Sequence, residues 1–142
     1  MNNKTRPTLI YVIVALTALT VTRAQAIYFL FTLEMFGGTS PDEWLGPWVT
    51  DSILGIMLPL VIYFILNGSG MKTWALIIVY SALGSFDYAN GLVTEWLHPL
   101  PEETAGRMLV FSALAATLTF QIVATYLLFQ DKAVGHFFKQ NH

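Results

Sequence analysis

Four long apolar segments dominate the chain and leave few folds open to it. They cover residues 8–36, 48–66, 73–97 and 107–129. Each is close to or longer than the roughly 20 residues that an α-helix needs to cross about 30 Å of hydrocarbon. The stretches between them are rich in Gly, Pro and Ser, which are typical of turns where the backbone meets water. The sequence therefore predicts four transmembrane helices.

Composition supports the same fold class. Of the 142 residues, 55% are hydrophobic and 11% are charged, whereas soluble domains contain about 25% charged residues. The net charge of −2, without a cluster of Lys and Arg, excludes the basic surface that a nucleic-acid partner requires. We expect an all-α integral membrane bundle that forms a single domain over residues 1–142, with antiparallel neighbouring helices and the lipid bilayer as its main partner.

The basic residues predict the orientation of this bundle. Five of those near the span ends fall on one side of the membrane, and Arg107 is the only one near the opposite face: Lys4, Arg6, Lys72, Lys132 and Lys139 share the first side. Because Lys and Arg next to spans are retained in the cytoplasm, we expect both termini to be cytoplasmic. The charge pattern gives sidedness and does not name the membrane; the plasma (inner) membrane is the expected location. The two loops on the opposite side carry Asp42, Glu43, Glu102 and Glu103.

The first 26 residues also have the pattern of a secretory signal peptide, with a charged start, an apolar stretch and "AQA" before a cleavage point. Cleavage would leave three spans. The apolar run continues past this point as "IYFLFTLEMF", and Arg23 lies three residues before Ala26. We therefore expect the segment to be retained as the first span.

Proline positions predict where helices begin. Ser40 and Pro41 suit the start of a short helix, with Glu43 at the spacing of a capping box. Pro101 suits the first position of the fourth helix. A start after Pro47 would make Asp51 an N-terminal residue of the second span.

Ionisable residues inside the spans are the strongest candidates for a functional site, since a charge near the middle of the bilayer costs on the order of 3 kcal/mol. Arg23 lies 15 residues after Thr8, and Asp87 lies 14 residues after Thr73. At 1.5 Å per residue these are similar depths, roughly 22 Å and 21 Å. We predict an Arg23–Asp87 ion pair, with Asp51 near the same layer. Asp87→Ala should then leave Arg23 unpaired.

Helical spacing extends this predicted cluster. Glu34 follows Arg23 by eleven residues, about three α-helical turns, and Asp87 shares a face with Tyr80 and Asn90. On the fourth span, Ser112, Ala116 and Thr119 are expected to face the bundle. The candidate site residues are Arg23, Asp51, Asp87, Asn90, Glu34 and Tyr80.

The sequence leaves three roles open for this cluster. In the first, the protein is a binding or accessory membrane subunit, and the ion pair fixes the register of the helices. Such a subunit could bind a small hydrophobic ligand and act alone, as a homo-oligomer or within a larger membrane complex. In a membrane-embedded enzyme acting on a lipid or isoprenoid-like substrate, Asp87 or Asp51 serves as acid and base. In a proton-coupled transporter, a buried carboxylate exchanges protons for substrate. The pattern assigns no cofactor and no metal, and the spans contain no His, Cys or central Lys.

Overall fold

The computed structural model describes residues 6–138, and its regular structure is helical throughout. The elements are α1 (Thr8–Ala18), a 3₁₀ segment (Leu19–Gln25), α2 (Ala26–Phe31), α3 (Leu33–Phe36), α4 (Pro41–Asn67), α5 (Gly70–Leu97), α6 (Arg107–Leu128) and α7 (Asp131–Phe138). Four stretches are long and apolar enough to cross a membrane: Thr8–Phe31, Pro41–Asn67, Gly70–Leu97 and Arg107–Leu128. The prediction of an all-helical chain with four membrane-spanning segments is confirmed. Lys4 and Lys139, which contributed to the predicted orientation, lie outside the described residues.

The first span contains an unusually long 3₁₀ segment of seven residues, whereas such runs rarely exceed three or four. Its buried side chains, Thr20 and Arg23, and the buried residues on either side of it, Thr17 and Ala26, recur at intervals of three. This interval matches the 3.0 residues per turn of a 3₁₀-helix, in which residues three apart are stacked. The tighter winding therefore keeps Arg23 on the face that packs against the other helices.

Helix α4 begins at Pro41, with Ser40 before it, as the sequence predicts, but the Ser40 side chain makes no capping hydrogen bond. The helix continues through Pro47 and Pro59. Asp51 consequently lies ten residues after the first helical residue, roughly 15 Å into the helix. The prediction that Asp51 sits at a helix N-terminus is wrong, because the helix starts two turns earlier.

Helix α6 begins at Arg107 and not at Pro101, so that prediction is also wrong. Residues 101–104 form a turn in which the Thr104 N–H donates to the Pro101 carbonyl at 2.9 Å. The buried Glu95 carboxylate accepts a hydrogen bond from the Leu100 N–H at 3.0 Å. This hydrogen bond stabilises the connection that follows α5, so that α6 begins only after the turn at residues 101–104.

The two ends of the bundle are identified by their contacts. At the end that we call the loop end, the Trp44 indole donates to the His98 carbonyl at 2.8 Å. At the other end, which we call the terminal end, Arg6 donates to the Leu66 carbonyl at 3.0 Å and Trp74 donates to the Leu128 carbonyl at 3.0 Å. Each of these donors satisfies a carbonyl at the end of a helix, where no helical N–H is within reach.

Packing around the bundle is uneven. Helix α4 contacts α5 and all parts of the first span, and α6 contacts α5, α1 and the 3₁₀ segment. Helix α2 packs on α4 and the 3₁₀ segment. A continuous apolar core fills the half of the bundle nearer the terminal end, and its members include Ile10, Ile13, Leu58, Val61, Ile77 and Leu128.

Helix α7 packs against this core and contributes Ala133 and Phe137 to it. Ala133, His136 and Phe137 are buried, and His136 Nε2 lies 3.2 Å from the Ile65 carbonyl oxygen near the end of α4. Burial lowers the pKa of His136 below its usual value, with a smaller contribution in the same direction from Arg6, although the contact with the carbonyl opposes it.

Candidate functional site

Arg23 is the centre of the polar cluster. Its Nε lies 3.3 Å from Asp51 Oδ1 and donates to the Tyr88 hydroxyl at 3.1 Å. The guanidinium carbon lies 4.3 Å from the centre of the Tyr88 ring. The Arg23 side chain is 0% exposed and that of Asp51 is 18% exposed. Three spans therefore enclose the cation, and Asp51 forms its ion pair.

Asp87 is the second acidic group of the cluster. It is 4% exposed, and its carboxyl group neighbours that of Asp51. The sequence predicts Asp87 as the direct partner of Arg23, whereas the ion pair within residues 6–138 joins Arg23 to Asp51. Asp51 was expected near the same layer, and the packing of α4 against the 3₁₀ segment brings its carboxylate into contact with Arg23. We refer to Arg23, Asp51, Asp87 and Tyr88 as the Arg23 cluster.

The polar side chains of Tyr80 and Gln121 lie close to the Arg23 cluster, on the side nearer the terminal end. The Tyr80 hydroxyl donates to the Leu54 carbonyl at 3.1 Å. A Cβ atom on Gly84 would lie 3.0 Å from Gln121 Oε1 and 3.1 Å from Arg23 Nη1, so the missing side chain makes room for both. Among the described residues, Arg23 Nη1 and Nη2 and both amide atoms of Gln121 are buried without a hydrogen-bond partner.

Other predicted site residues do not join the cluster. Glu34 is exposed, because the 3₁₀ winding and the helix break at Thr32 remove the three-turn α-helical register that linked it to Arg23. Asn90 is exposed because it lies beside the buried face of α5. On α6, Ser112, Ala116 and Thr119 are exposed, and the buried positions are Thr117, Gln121, Ala124 and Leu128.

Tyr88 and Gln121 are the residues of the site that sequence reasoning missed. The signal for Gln121 is its spacing of four and seven residues from Thr117 and Leu128, which places the three on one helical face. The signal for Tyr88 is weaker, because a tyrosine next to Asp87 is also expected at a lipid-facing position. Its burial depends on how α5 rotates against the first span, which the sequence pattern alone leaves open.

The Arg23 cluster forms the floor of a cavity of about 670 Å³. Its walls come from all four spans and the loop before α6 and are mostly apolar. The lining residues that remain exposed lie on the first span, in the loop before α6 and on α6: Leu19, Thr22, Gln25, Thr104, Leu109, Ala113 and Ala116. The cavity is therefore open between the first span and α6, including the loop that precedes α6.

One wall of the cavity is aromatic. The ring centres of Phe29 and Trp48 are 5.2 Å apart, and those of Trp44 and Trp48 are 5.5 Å apart. Phe36 extends this wall, with its ring 5.4 Å from that of Phe29. These rings give the cavity a rigid, apolar side that leads to the Arg23 cluster.

The cavity is closed toward the terminal end. The apolar core there includes Ile13, Leu58, Ile77 and Leu128, none of which is more than 4% exposed. The arrangement is a pocket with a charged floor that is open on the side of α6.

Comparisons with known proteins give no relative from which a role could be transferred: no family model, curated protein or solved structure matches the chain.

Proposed function

We propose that this protein is a binding or accessory membrane protein that holds an amphiphilic molecule from the bilayer in its lateral cavity. The polar head of the ligand lies at the Arg23 cluster and its apolar chain lies along the walls. The observation that carries the proposal is a cavity of about 670 Å³ that joins a charged floor to apolar walls and opens between two spans. Its volume falls in the range of roughly 300–1,000 Å³ of small-molecule sites.

The energetics of the Arg23 cluster support a ligand-binding role. A buried ion pair gives no net stability over apolar residues of similar size, so helix packing alone does not require these charges. Ionisable residues inside a membrane are rare, and they commonly mark substrate or ion pathways. Arg23, Asp51 and Asp87 belong to segments long and apolar enough to span a membrane, and all three line the cavity.

The proposed setting is a plasma, or inner, membrane with antiparallel neighbouring helices and a cytoplasmic terminal end. Arg6 contacts the end of α4, which supports a first span that starts beside the point where the second ends. The basic residues Arg6, Lys72 and Lys132 belong to the terminal end, and acidic residues dominate the loop end. The cavity then lies in the half of the membrane farther from the cytoplasm.

A proton-coupled transporter is a further candidate, for which the site would have to become accessible from the other side of the membrane in a second conformation. In this structure the apolar core blocks that side. An enzyme acting on a lipid or isoprenoid-like substrate is the second candidate, because Asp51 and Asp87 present neighbouring carboxyl groups at the end of the cavity. Binding of the amphiphile is common to both candidates.

The test is native mass spectrometry of protein released from a mild detergent, with two matched variants. Ala113 lines the cavity, whereas Ala115, two residues away on α6, is exposed and does not. We expect the wild type and Ala115→Phe to retain one amphiphilic molecule per chain and Ala113→Phe to lose it. Equal retention by both variants, or no bound molecule in the wild type, would contradict the proposal. The same spectra give the oligomeric state.

A further inference from the structure

We propose that the ligand of the lateral cavity has an uncharged head group with a carbonyl oxygen, as in a ketone, ester, amide or quinone, and that Arg23 donates hydrogen bonds to this oxygen. This inference rests on the proposed function and adds the chemical class of the head group. Two observations lead to it: the hydrogen-bond donors of Arg23 that have no partner, and the balanced charge of the Arg23 cluster.

The guanidinium of Arg23 has more hydrogen-bond donors than its neighbours use. Its Nε donates to the Tyr88 hydroxyl at 3.1 Å and lies 3.3 Å from Asp51 Oδ1. Nη1 and Nη2 are buried, and neither has a hydrogen-bond partner among the described residues. The guanidinium can donate but cannot accept. Because unpaired donors in a buried site cost free energy, a ligand that supplies an acceptor is favoured over one that supplies further donors.

The side chains around these donors do not satisfy them. The Tyr88 ring, 4.3 Å from the guanidinium carbon, stabilises the positive charge through its face. Gln121 Oε1 and Arg23 Nη1 both lie beside Gly84, but Gln121 Nε2 is itself a buried donor without a partner in the described part of the chain. Gln121 therefore adds as many unpaired groups as it could pair. Arg23 lines the cavity, so an acceptor can approach the guanidinium from there.

The charge of the Arg23 cluster is balanced without a ligand. The carboxyl groups of Asp51 and Asp87 are hydrogen-bonded to each other. An ionised carboxylate can only accept, so one of the two groups carries a proton. The pair then has a single negative charge, which the Arg23 guanidinium neutralises. Among the lining residues in the described part of the chain, Arg23 is the only Lys or Arg, so an anionic head group would meet no second cation.

A carbonyl oxygen meets both conditions. It leaves the charge balance unchanged, and its two lone pairs accept hydrogen bonds without bringing a new donor. Hydrogen bonds from a charged donor are also stronger than those between neutral groups. The rest of such a ligand is apolar and contacts the cavity walls, which include Phe29 and Trp48. The site therefore suits a lipophilic carbonyl compound.

The test compares 2-tridecanone with n-tridecane, which lacks the oxygen, and with dodecylammonium chloride and sodium dodecyl sulfate, which are charged. The full chain is placed in nanodiscs of an ether-linked phosphatidylcholine, which has no ester carbonyl to compete for Arg23. Trp44 and Trp48 line the cavity, so tryptophan fluorescence follows its occupancy, and empty nanodiscs correct for partition into lipid. We expect 2-tridecanone to bind about tenfold more tightly than n-tridecane, the order that a hydrogen bond from a charged donor contributes. Both charged probes should bind more weakly than the ketone.

Infrared spectroscopy of the same samples reports the hydrogen bond itself. The ketone is isotope-labelled at its carbonyl carbon, so that its stretching band is separated from those of the protein. We expect the band of bound 2-tridecanone to lie at a lower wavenumber than in empty nanodiscs, because a hydrogen bond to the oxygen weakens the carbonyl bond.

Arg23→Lys keeps a positive charge beside Asp51 but removes both Nη atoms. We expect this variant to bind 2-tridecanone no more tightly than n-tridecane and to lose the shifted band. Arg107→Lys makes the same exchange at a guanidinium that lies over the Trp96 and Phe111 rings and does not line the cavity, and it should behave as the wild type does.

Four results would overturn the carbonyl head group and leave the cavity as a binding site. They are equal binding of ketone and alkane by the wild type, tighter binding of either charged probe, an unshifted band for the bound ketone, and an unchanged preference in folded Arg23→Lys. The first three need only the wild type, so the test does not depend on the folding of Arg23→Lys. Saturable binding of none of the probes would overturn both proposals.

Discussion

Arg23 and Asp51 meet at 3.3 Å although they belong to different spans and are separated by 28 positions in the sequence. Two local features bring them together: the 3₁₀ winding that keeps Arg23 on the buried face, and the early start of α4 that places Asp51 inside the bundle. Asp87 stands beside Asp51 as a second carboxyl group. We infer that either carboxyl group can neutralise Arg23, so that the two acidic residues share this role.

This sharing predicts a non-additive response to mutation. In Asp51→Asn or Asp87→Asn, the remaining carboxyl group can still neutralise Arg23, so each single variant should lose clearly less stability than a broken buried pair. The double variant leaves the cation unpaired and should lose about 3–5 kcal/mol. The measurement is the free energy of unfolding in mixed micelles for the four members of the cycle. A double variant whose loss equals the sum of the two single losses would argue against a shared partner. Glu34→Gln is the control for surface charge.

The close approach of α4 to the 3₁₀ segment gives a second prediction. A Cβ atom on Gly55 would lie 3.1 Å from the Ala24 Cα and 3.2 Å from the Ala24 nitrogen, which are backbone atoms that cannot rotate away. We expect Gly55→Ala to lower the free energy of unfolding by about 1–3 kcal/mol, as overpacking does. In the same helix, a Cβ on Gly46 would meet nothing within 4 Å. Gly46→Ala should be neutral or stabilising, by up to about 1 kcal/mol. Equal effects of the two variants would contradict the contact.

The docking of α7 is predicted to depend on pH. Burial lowers the pKa of His136 in the folded protein, whereas in an undocked helix the value is about 6.5. Below pH 6.5 the undocked state therefore binds a proton that the docked state does not, and docking weakens as the pH falls from about 6.5 toward the lowered pKa. Above pH 6.5 docking should not change with pH.

Hydrogen exchange of the α7 amides, corrected for the intrinsic effect of pH on exchange, measures this equilibrium. We expect protection in α7 to fall between pH 7.5 and pH 5, and this dependence to disappear in His136→Gln. His98→Gln, at the loop end, should behave as the wild type does. Protection in the wild type that does not change with pH, or the same change in His136→Gln, would show that His136 does not control docking.

The number of spans could be predicted because it depends on hydrophobic length alone. The continuation of the helix that starts at Pro41 into the second span could not, because Gly46 and Pro47 have the composition of a turn, although a single proline removes only one backbone hydrogen bond from a long helix. This difference changed the role of Asp51 from a helix-terminal residue to the partner of Arg23. Arg23 and Asp87 were expected at similar depths, but depth does not determine which carboxyl group comes closest.

The faces of the helices were harder to predict than their ends. Glu34 was placed with Arg23 by α-helical spacing, which fails across a 3₁₀ segment with 3.0 residues per turn. The repeat of Thr17, Thr20 and Arg23 every three residues is a visible signal of that segment. The cavity itself has no sequence signature, because it arises where the first span and α6 diverge, and that divergence is a property of helix packing.

Photolabelling tests the central claim most directly, that an amphiphile occupies the cavity above the Arg23 cluster. The probe is an analogue of 1-dodecanol with a diazirine near the end of its chain, added to the protein in nanodiscs, and the labelled residues are located by tandem mass spectrometry. We predict that excess 1-dodecanol suppresses labelling at residues 22–29 and 109–117, and that Ala113→Phe abolishes this suppressible fraction. Labelling confined to the outward faces of α4 and α5, such as Ile56 and Phe86, and unaffected by excess 1-dodecanol would contradict the account.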